Sequence, residues 1–173
     1  FQFAFGDSVV RYNVVVNNSR YGINLHSDSS ATNQTYNNLI AILGANAGDL
    51  INSSGSSDYF ATKYAFSNNI FRSTRSGAIV ASGSGLSYAN NLFSGVTAQG
   101  TSAQTADPML VDGSTVPKGG AAGSALSKLQ GFQLKAGSAA LEHGVTIANN
   151  GGHDFWDNPL YQGTPDIGPF EKP

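Results

Sequence analysis

Asn37-Asn38-Leu39-Ile40 returns along the chain as Asn68-Asn69-Ile70-Phe71 and Asn90-Asn91-Leu92-Phe93, with Tyr12-Asn13-Val14-Val15 as an earlier, altered copy. Aligned on the second Asn, the copies lie 25 (13 to 38), 31 (38 to 69) and 22 (69 to 91) residues apart. A second phrase follows each of the first three: Tyr21-Gly22-Ile23-Asn24-Leu25, Gly48-Asp49-Leu50-Ile51-Asn52 and Ser76-Gly77-Ala78-Ile79-Val80, a Gly leading into a short β-prone run. The repeat therefore reads as strand, turn, strand, turn. It is too short for a propeller blade of about 40 residues and has no helical period. A unit of this length forms one coil of a parallel β-helix, each strand stacking on its counterpart in the next coil. The longest interval implies an inserted loop, for which Asn52-Ser53-Ser54-Gly55-Ser56-Ser57-Asp58 has the composition.

The recurrent Asn has a physical reason in such a coil. An inward amide at a turn donates to one neighbouring coil and accepts from the other, so stacked amides satisfy turn backbone that would otherwise be buried unpaired. Asn38, Asn69 and Asn91 are accordingly expected to be structural.

Composition agrees with many short strands and tight turns. Only 12% of the 173 residues are charged while 40% are hydrophobic, and Gly, Ser, Asn and Thr take the place of the charge. The net charge is −2 with no basic run, Arg11, Arg20, Arg72 and Arg75 being scattered, which argues against a nucleic-acid partner. No apolar stretch approaches the roughly 20 residues of a membrane span. The absence of Cys excludes disulfides and thiolate metal sites. Low charge and a Ser/Asn/Gly-rich surface lean towards an extracellular or cell-surface location. Phe1-Gln2-Phe3-Ala4-Phe5 opens directly on a strand-like run without an initiator Met or signal peptide, so the chain reads as the C-terminal part of something longer, either a monomer or a portion of a larger chain.

After Asp107-Pro108-Met109-Leu110 the repeat stops. We divide the chain into coils over residues 1–112 and a capping segment of the same domain over 113–173. The latter opens on a small-residue stretch, Gly119 to Ser127, that reads as a short helix or a loop. The terminal phrases Phe132-x-Leu134-x-x-Gly137-Ser138-x-Ala140, Asp154-Phe155-Trp156-x-Asn158-Pro159 and Pro165-Asp166-Ile167-Gly168-x-Phe170-Glu171 resemble the C-terminal signature of the right-handed parallel β-helix, pectate-lyase-like superfamily. The opening Val9-Val10-Arg11-Tyr12-Asn13 through Tyr21-Gly22-Ile23 is similar to inner coils of that group. The chain departs from the pattern at Pro169 and at Leu141-Glu142, neither of which conflicts with the fold.

The resemblance implies an all-β, right-handed parallel β-helix of three to four coils with a C-terminal cap. It also implies a polysaccharide as partner, handled by a polysaccharide lyase or a glycoside hydrolase. The alternative is a non-catalytic glycan-binding or cell-surface solenoid module, since fold does not carry function. A lyase of this group would use Ca²⁺, which takes six to eight oxygen ligands, with a Lys or Arg as base. A glycosidase would need two carboxylates about 5–9 Å apart. The repeat region holds only Asp7, Asp28, Asp49 and Asp58, so neither cofactor nor reaction is fixed.

Four groups of residues merit attention. Asp7, Arg11, His26 and Asp28 belong to one coil and are the catalytic candidates, His26 and Asp28 sharing a strand face if that strand continues; a solvated turn is the plainer account of them, since loops collect such residues by default. Asp58, Lys63, Arg72 and Arg75 are the substrate-binding candidates, because a basic groove suits an acidic polysaccharide, although ordinary surface charge also accounts for them. Tyr59, Phe60, Tyr64 and Phe66 read as core aromatics rather than sugar platforms. Asp154, Asp157, Asp166 and Glu171, with His143 and His153, read as turn and cap hydrogen-bonders, Asp154 and Asp166 accepting backbone N–H groups, and no metal site is assigned. Trp156 is expected to pack on the final coil and close the core, its rival role being an exposed sugar platform. The sequons at Asn17, Asn33 and Asn52 are explained by an Asn/Ser-rich composition and would matter only in a eukaryotic secretory route.

Overall fold

The computed structural model describes residues 2–3 (backbone only), 7–25, 32–44, 48–53, 63–114 and 129–173. Its strands are β1 (Gln2–Phe3), β2 (Ser8–Arg11), β3 (Val14–Val16), β4 (Tyr21–Leu25), β5 (Thr32–Tyr36), β6 (Leu39–Ile42), β7 (Asp49–Asn52), β8 (Lys63–Ser67), β9 (Ile70–Ser73), β10 (Leu86–Ala89) and β11 (Leu92–Ser94). They form three all-parallel sheets: sheet I is β2-β5-β8-β10, sheet II is β3-β6-β9-β11, and sheet III is β1-β4-β7. Among the described residues the chain is all-β, with a single 3₁₀ turn at 129–132. This is a parallel β-helix of four successive coils. Thr101 and Gln104 begin a fifth, bridging to Ala89 and Leu92.

Each full coil has three strands where the repeat suggests two. The strand ahead of the Asn pair is hard to read because Thr32-Asn33-Gln34-Thr35-Tyr36 is mostly polar, yet it pairs in register from Val10 to Thr35 and Thr35 to Phe66. The Asn pair is thus a two-residue corner between sheets I and II. The proposed insertion falls largely outside the described residues, which stop at 53 and resume at 63.

Each member of the corner has its own task. The first residue takes a left-handed backbone: Tyr12, Asn37, Asn68, Asn90 and Ser102 have φ between 50° and 53°, a region that Asn tolerates better than most side chains. The second residue turns its amide inward. Asn13 Nδ2 donates to Asn38 Oδ1 at 2.9 Å, Asn38 Nδ2 to Asn69 Oδ1 at 3.0 Å, and Asn69 Nδ2 to Asn91 Oδ1 at 3.0 Å. Each acceptor also takes the backbone N–H of the preceding Asn, as at Asn38 N (3.1 Å) and Asn69 N (2.8 Å). The ladder stops where Ala103 follows Ser102.

Stacking carries the same residues into aligned rows. Val10, Thr35, Phe66 and Tyr88 share one row of sheet I; Val15, Ile40, Phe71 and Phe93 share one of sheet II. Phe66 stacks on Tyr88 with centroids 4.7 Å apart, and Phe71 on Phe93 at 5.2 Å. With Ile23, Leu25, Leu50 and Ile51 they fill the bore. Gly22 is required there, since a Cβ would come within 2.4 Å of Ile40 Cγ2. Asn33 faces this interior at 1% exposure, so the sequon it heads is closed in the folded chain.

The alternate positions of sheet II, Leu39, Ala41, Ile70 and Leu92, face outward and are buried as well. They are covered by Leu110, Phe132, Leu134, Ala140, Ile167 and Phe170, a second core between the coils and the C-terminal segment. The described part of that segment lies along the side of the stack rather than over its end. It runs back across the coils: Asn90 Nδ2 donates to His143 O (3.4 Å), Asn68 Nδ2 to Val145 O (2.8 Å), and Arg11 Nη1 to Asn149 O (2.7 Å). Asn37 Nδ2 holds the returning stretch through Asp166 O and Gly168 O, both at 3.0 Å. Trp156 packs edge-on against Phe155 (4.9 Å) and Phe170 (5.6 Å) at the margin of this second core, not on the last coil.

Replacing Asn69 by Ala removes an acceptor for two N–H groups of Asn38 and leaves Thr35 O and Asn91 Oδ1 without its amide. We expect a loss of about 3 kcal/mol or more, since each buried group left unpaired costs about 1–3 kcal/mol. Asn90→Gly keeps the left-handed backbone and loses one long bond, so it should cost under about 1 kcal/mol. Urea unfolding midpoints of the two variants test this ordering.

Candidate functional site

The terminal carboxylates belong to the architecture. Asp154 accepts four hydrogen bonds: Trp156 N (2.7 Å) and Asn158 N (2.9 Å) on Oδ1, Asn158 Nδ2 (2.8 Å) and Glu171 N (2.8 Å) on Oδ2. Asp166 accepts Glu142 N (2.7 Å) and Lys172 N (2.8 Å), and Glu171 accepts Gln162 N (3.3 Å) and Asp166 N (3.2 Å). Burial pushes the Asp166 and Glu171 carboxyls above their ordinary values, with these N–H bonds pulling the other way. His143, His153 and Asp157 are exposed. Among the described residues no three His, Asp or Glu side chains converge as metal ligands.

Of the catalytic candidates, His26 and Asp28 lie outside the described residues. Asp7 Oδ1 accepts Thr32 N at 2.7 Å. Arg11 bonds Tyr36 Oη at 3.1 Å and the C-terminal segment at Asn149 O. Asp7 and Arg11 are separated by four residues of extended chain, about 13 Å, so they are not brought together.

The described substrate-binding candidates are dispersed over different sides of the coil. Asp58 lies outside the described residues. Lys63 is exposed at the start of β8 in sheet I. Arg75 is tied between coils, with Nη2 on Asp49 Oδ1 at 2.9 Å and on Gly48 O at 3.0 Å. Tyr64 and Phe66 are core residues at 1% exposure each, as expected, while Tyr59 and Phe60 fall outside the described residues.

Among the described candidates, Arg72 lines a cleft. It shares the outer row of sheet II with Ala41 and Ser94. The chain leaving the last coil crosses back beside it and pairs antiparallel with the segment that follows, Leu110 opposite Leu134. Val111 N donates to Gln133 O and Lys135 N to Met109 O, both at 2.9 Å. Alternation along this pair sends Leu110 and Leu134 into the second core, leaving Met109 (41%) and Val111 (48%) exposed. The seam is a cleft of about 670 Å³ lined by Arg72, Lys135, Asp107, Thr74, Met109 and Val111, with Gly113 and Ser114 at its margin, a volume in the range of small-molecule sites. Gly113 lets the chain pack closely there, since a Cβ would lie 2.7 Å from Arg72 Nη1 and 2.9 Å from Leu110 Cδ1.

Lys135 and Asp107 were not singled out by sequence reading, Asp107 standing in the phrase on which the repeat ends and Lys135 beyond it; the alternation Met109-Leu110-Val111 was the available signal. No family model matches the chain, and no curated protein matches it.

Asp154→Asn turns an acceptor oxygen that holds two N–H groups into a donor. We expect a loss of about 2–3 kcal/mol, read as a lower melting temperature, with the loosening confined to the C-terminal segment in limited proteolysis.

Proposed function

We propose that this chain is a glycan-binding β-solenoid module, working outside the cell or at its surface. The seam cleft supports this most directly. It offers exposed apolar side chains, Met109 and Val111, beside hydroxyls and charged groups, and a sugar presents an apolar ring face together with hydroxyls. The rival reading is a polysaccharide lyase or a glycoside hydrolase. Against it, Asp7, Asp49, Asp112, Asp154, Asp166 and Glu171 each accept hydrogen bonds within the fold. Most of the described carboxylates thus serve to hold the chain rather than to form an acid–base pair.

Immobilised pectin, alginate, xylan and glucan test the proposal. The chain should be retained on at least one of them without releasing product. Val111→Asp, at an exposed position, should weaken retention with an unchanged melting temperature. Unsaturated products absorbing in the near ultraviolet would instead mark a lyase, and new reducing ends without them a hydrolase; retention on none would overturn glycan binding.

A further inference from the structure

We infer that Asn150-Gly151 is a self-modifying site, where the chain converts Asn150 through a succinimide into an aspartyl or isoaspartyl residue, the Arg11 guanidinium promoting the step. This site is separate from the seam cleft and from its reading as a glycan site. The chain holds 16 Asn residues, and only Asn150 precedes a Gly. The nitrogen that attacks an Asn side chain belongs to the following residue, and a Gly leaves it unshielded by a Cβ. Asn149, Gly151 and Gly152 are exposed and Asn150 is half-buried. By contrast, Asn38, Asn69 and Asn91 are buried and bonded into the ladder. Asn158 is followed by Pro159, whose nitrogen carries no hydrogen.

The local geometry favours the reaction. Asn150 Oδ1 accepts Gly152 N at 2.9 Å. That bond draws charge from Cγ and stands ready to hold the oxyanion formed when Cγ is attacked. Asn150 Nδ2 and Gly151 N have no hydrogen-bond partner among the described residues, so leaving group and nucleophile are both unengaged. Gly151 has φ 97°, and Arg11 packs directly on it: a Cβ there would lie 2.8 Å from Arg11 Nη2 and 2.9 Å from Cζ. The guanidinium is fixed in place by Nη1, which donates to Asn149 O at 2.7 Å and to Tyr36 Oη at 3.1 Å. A positive charge against this peptide favours loss of the Gly151 N–H proton. Gly151 N then bonds Asn150 Cγ, the Cγ–Nδ2 bond breaks, and Nδ2 leaves as ammonia with that proton. Water opens the ring, its hydroxyl going to one of the two carbonyl carbons and its other hydrogen to Gly151 N. Opening at Cγ gives an aspartyl residue, and opening at the backbone carbonyl gives an isoaspartyl one. Either product places a carboxylate beside Arg11, at the loop where the C-terminal segment is clasped to β2.

The test incubates the whole chain in neutral buffer and follows every Asn by peptide mass spectrometry, with the same chain denatured in urea as the reference. Asn150 should convert ahead of the other Asn residues, read as a side-chain NH₂ replaced by OH in two chromatographically separate products. It should convert faster in the folded chain than in urea. Arg11→Gln should slow the folded rate about fivefold or more, the weight of a partly exposed charge. Arg11→Lys should restore most of that rate, because the step uses the charge rather than the guanidinium fork. Gly151→Ala should suppress conversion. Should Arg11→Gln fold poorly, the comparison of folded with denatured parent chain still decides. Conversion no faster in the folded chain than in urea, an unchanged rate in Arg11→Gln, or earlier conversion at another Asn would each overturn the inference.

Discussion

The corner between sheets I and II is the constraint on which the rest of the structure depends. Two residues must turn the chain from sheet I into sheet II within one coil and at the same depth in the next. A non-glycine residue in the left-handed region ordinarily carries a cost of about 1 kcal/mol, and Asn at Asn37, Asn68 and Asn90 keeps that cost low. The following Asn removes a larger cost. Its amide pairs both with the neighbouring Asn and with turn carbonyls, as Asn69 does with Thr35 O at 2.8 Å. With the corner fixed in every coil, register is fixed too, and the aromatic rows of the bore follow from it.

The outward Asn of each corner links the solenoid to its C-terminal segment. Asn68 both donates to Val145 O and accepts Val145 N (2.9 Å), treating the segment as though it were a further strand. That attachment lets the outer face of sheet II be as apolar as the inner one, because it is never left to solvent. The seam cleft is a by-product of the same arrangement. It opens where the chain turns from coil to covering segment and where Arg72 and Ser94 interrupt the apolar outer positions of sheet II.

Much of this was legible in the sequence, and the gaps have physical causes. The inward Asn residues announced themselves by recurring at coil spacing: the bonded pairs are separated by 25, 31 and 22 residues, the intervals of the repeat. The roles of Asp154 and Asp166 as acceptors followed from short polar side chains in turn-rich sequence. Sheet I was harder, because Gln34 and Thr32 face solvent while Asn33 and Thr35 face the bore, so polarity does not alternate. The lateral position of the C-terminal segment was not legible, since the groups it offers to Asn37, Asn68 and Asn90 are backbone carbonyls and amides with no sequence signature. The same holds for the cleft, where Arg72 and Lys135 meet only through the fold.

The central claim is that one Asn of each pair holds coil to coil while the other holds the C-terminal segment to the coils. Amide hydrogen exchange of the chain and of Asn68→Gly, which preserves the left-handed corner, tests it most directly. The account predicts that Val145 N–H, bonded to Asn68 Oδ1, is protected in the parent chain and exchanges about tenfold or more faster in the variant. Asn38 N–H and Asn69 N–H should keep their protection in both, their acceptors being the inward amides. An unprotected Val145 in the parent chain, or loss of protection at Asn38 and Asn69 together with Val145, would contradict it.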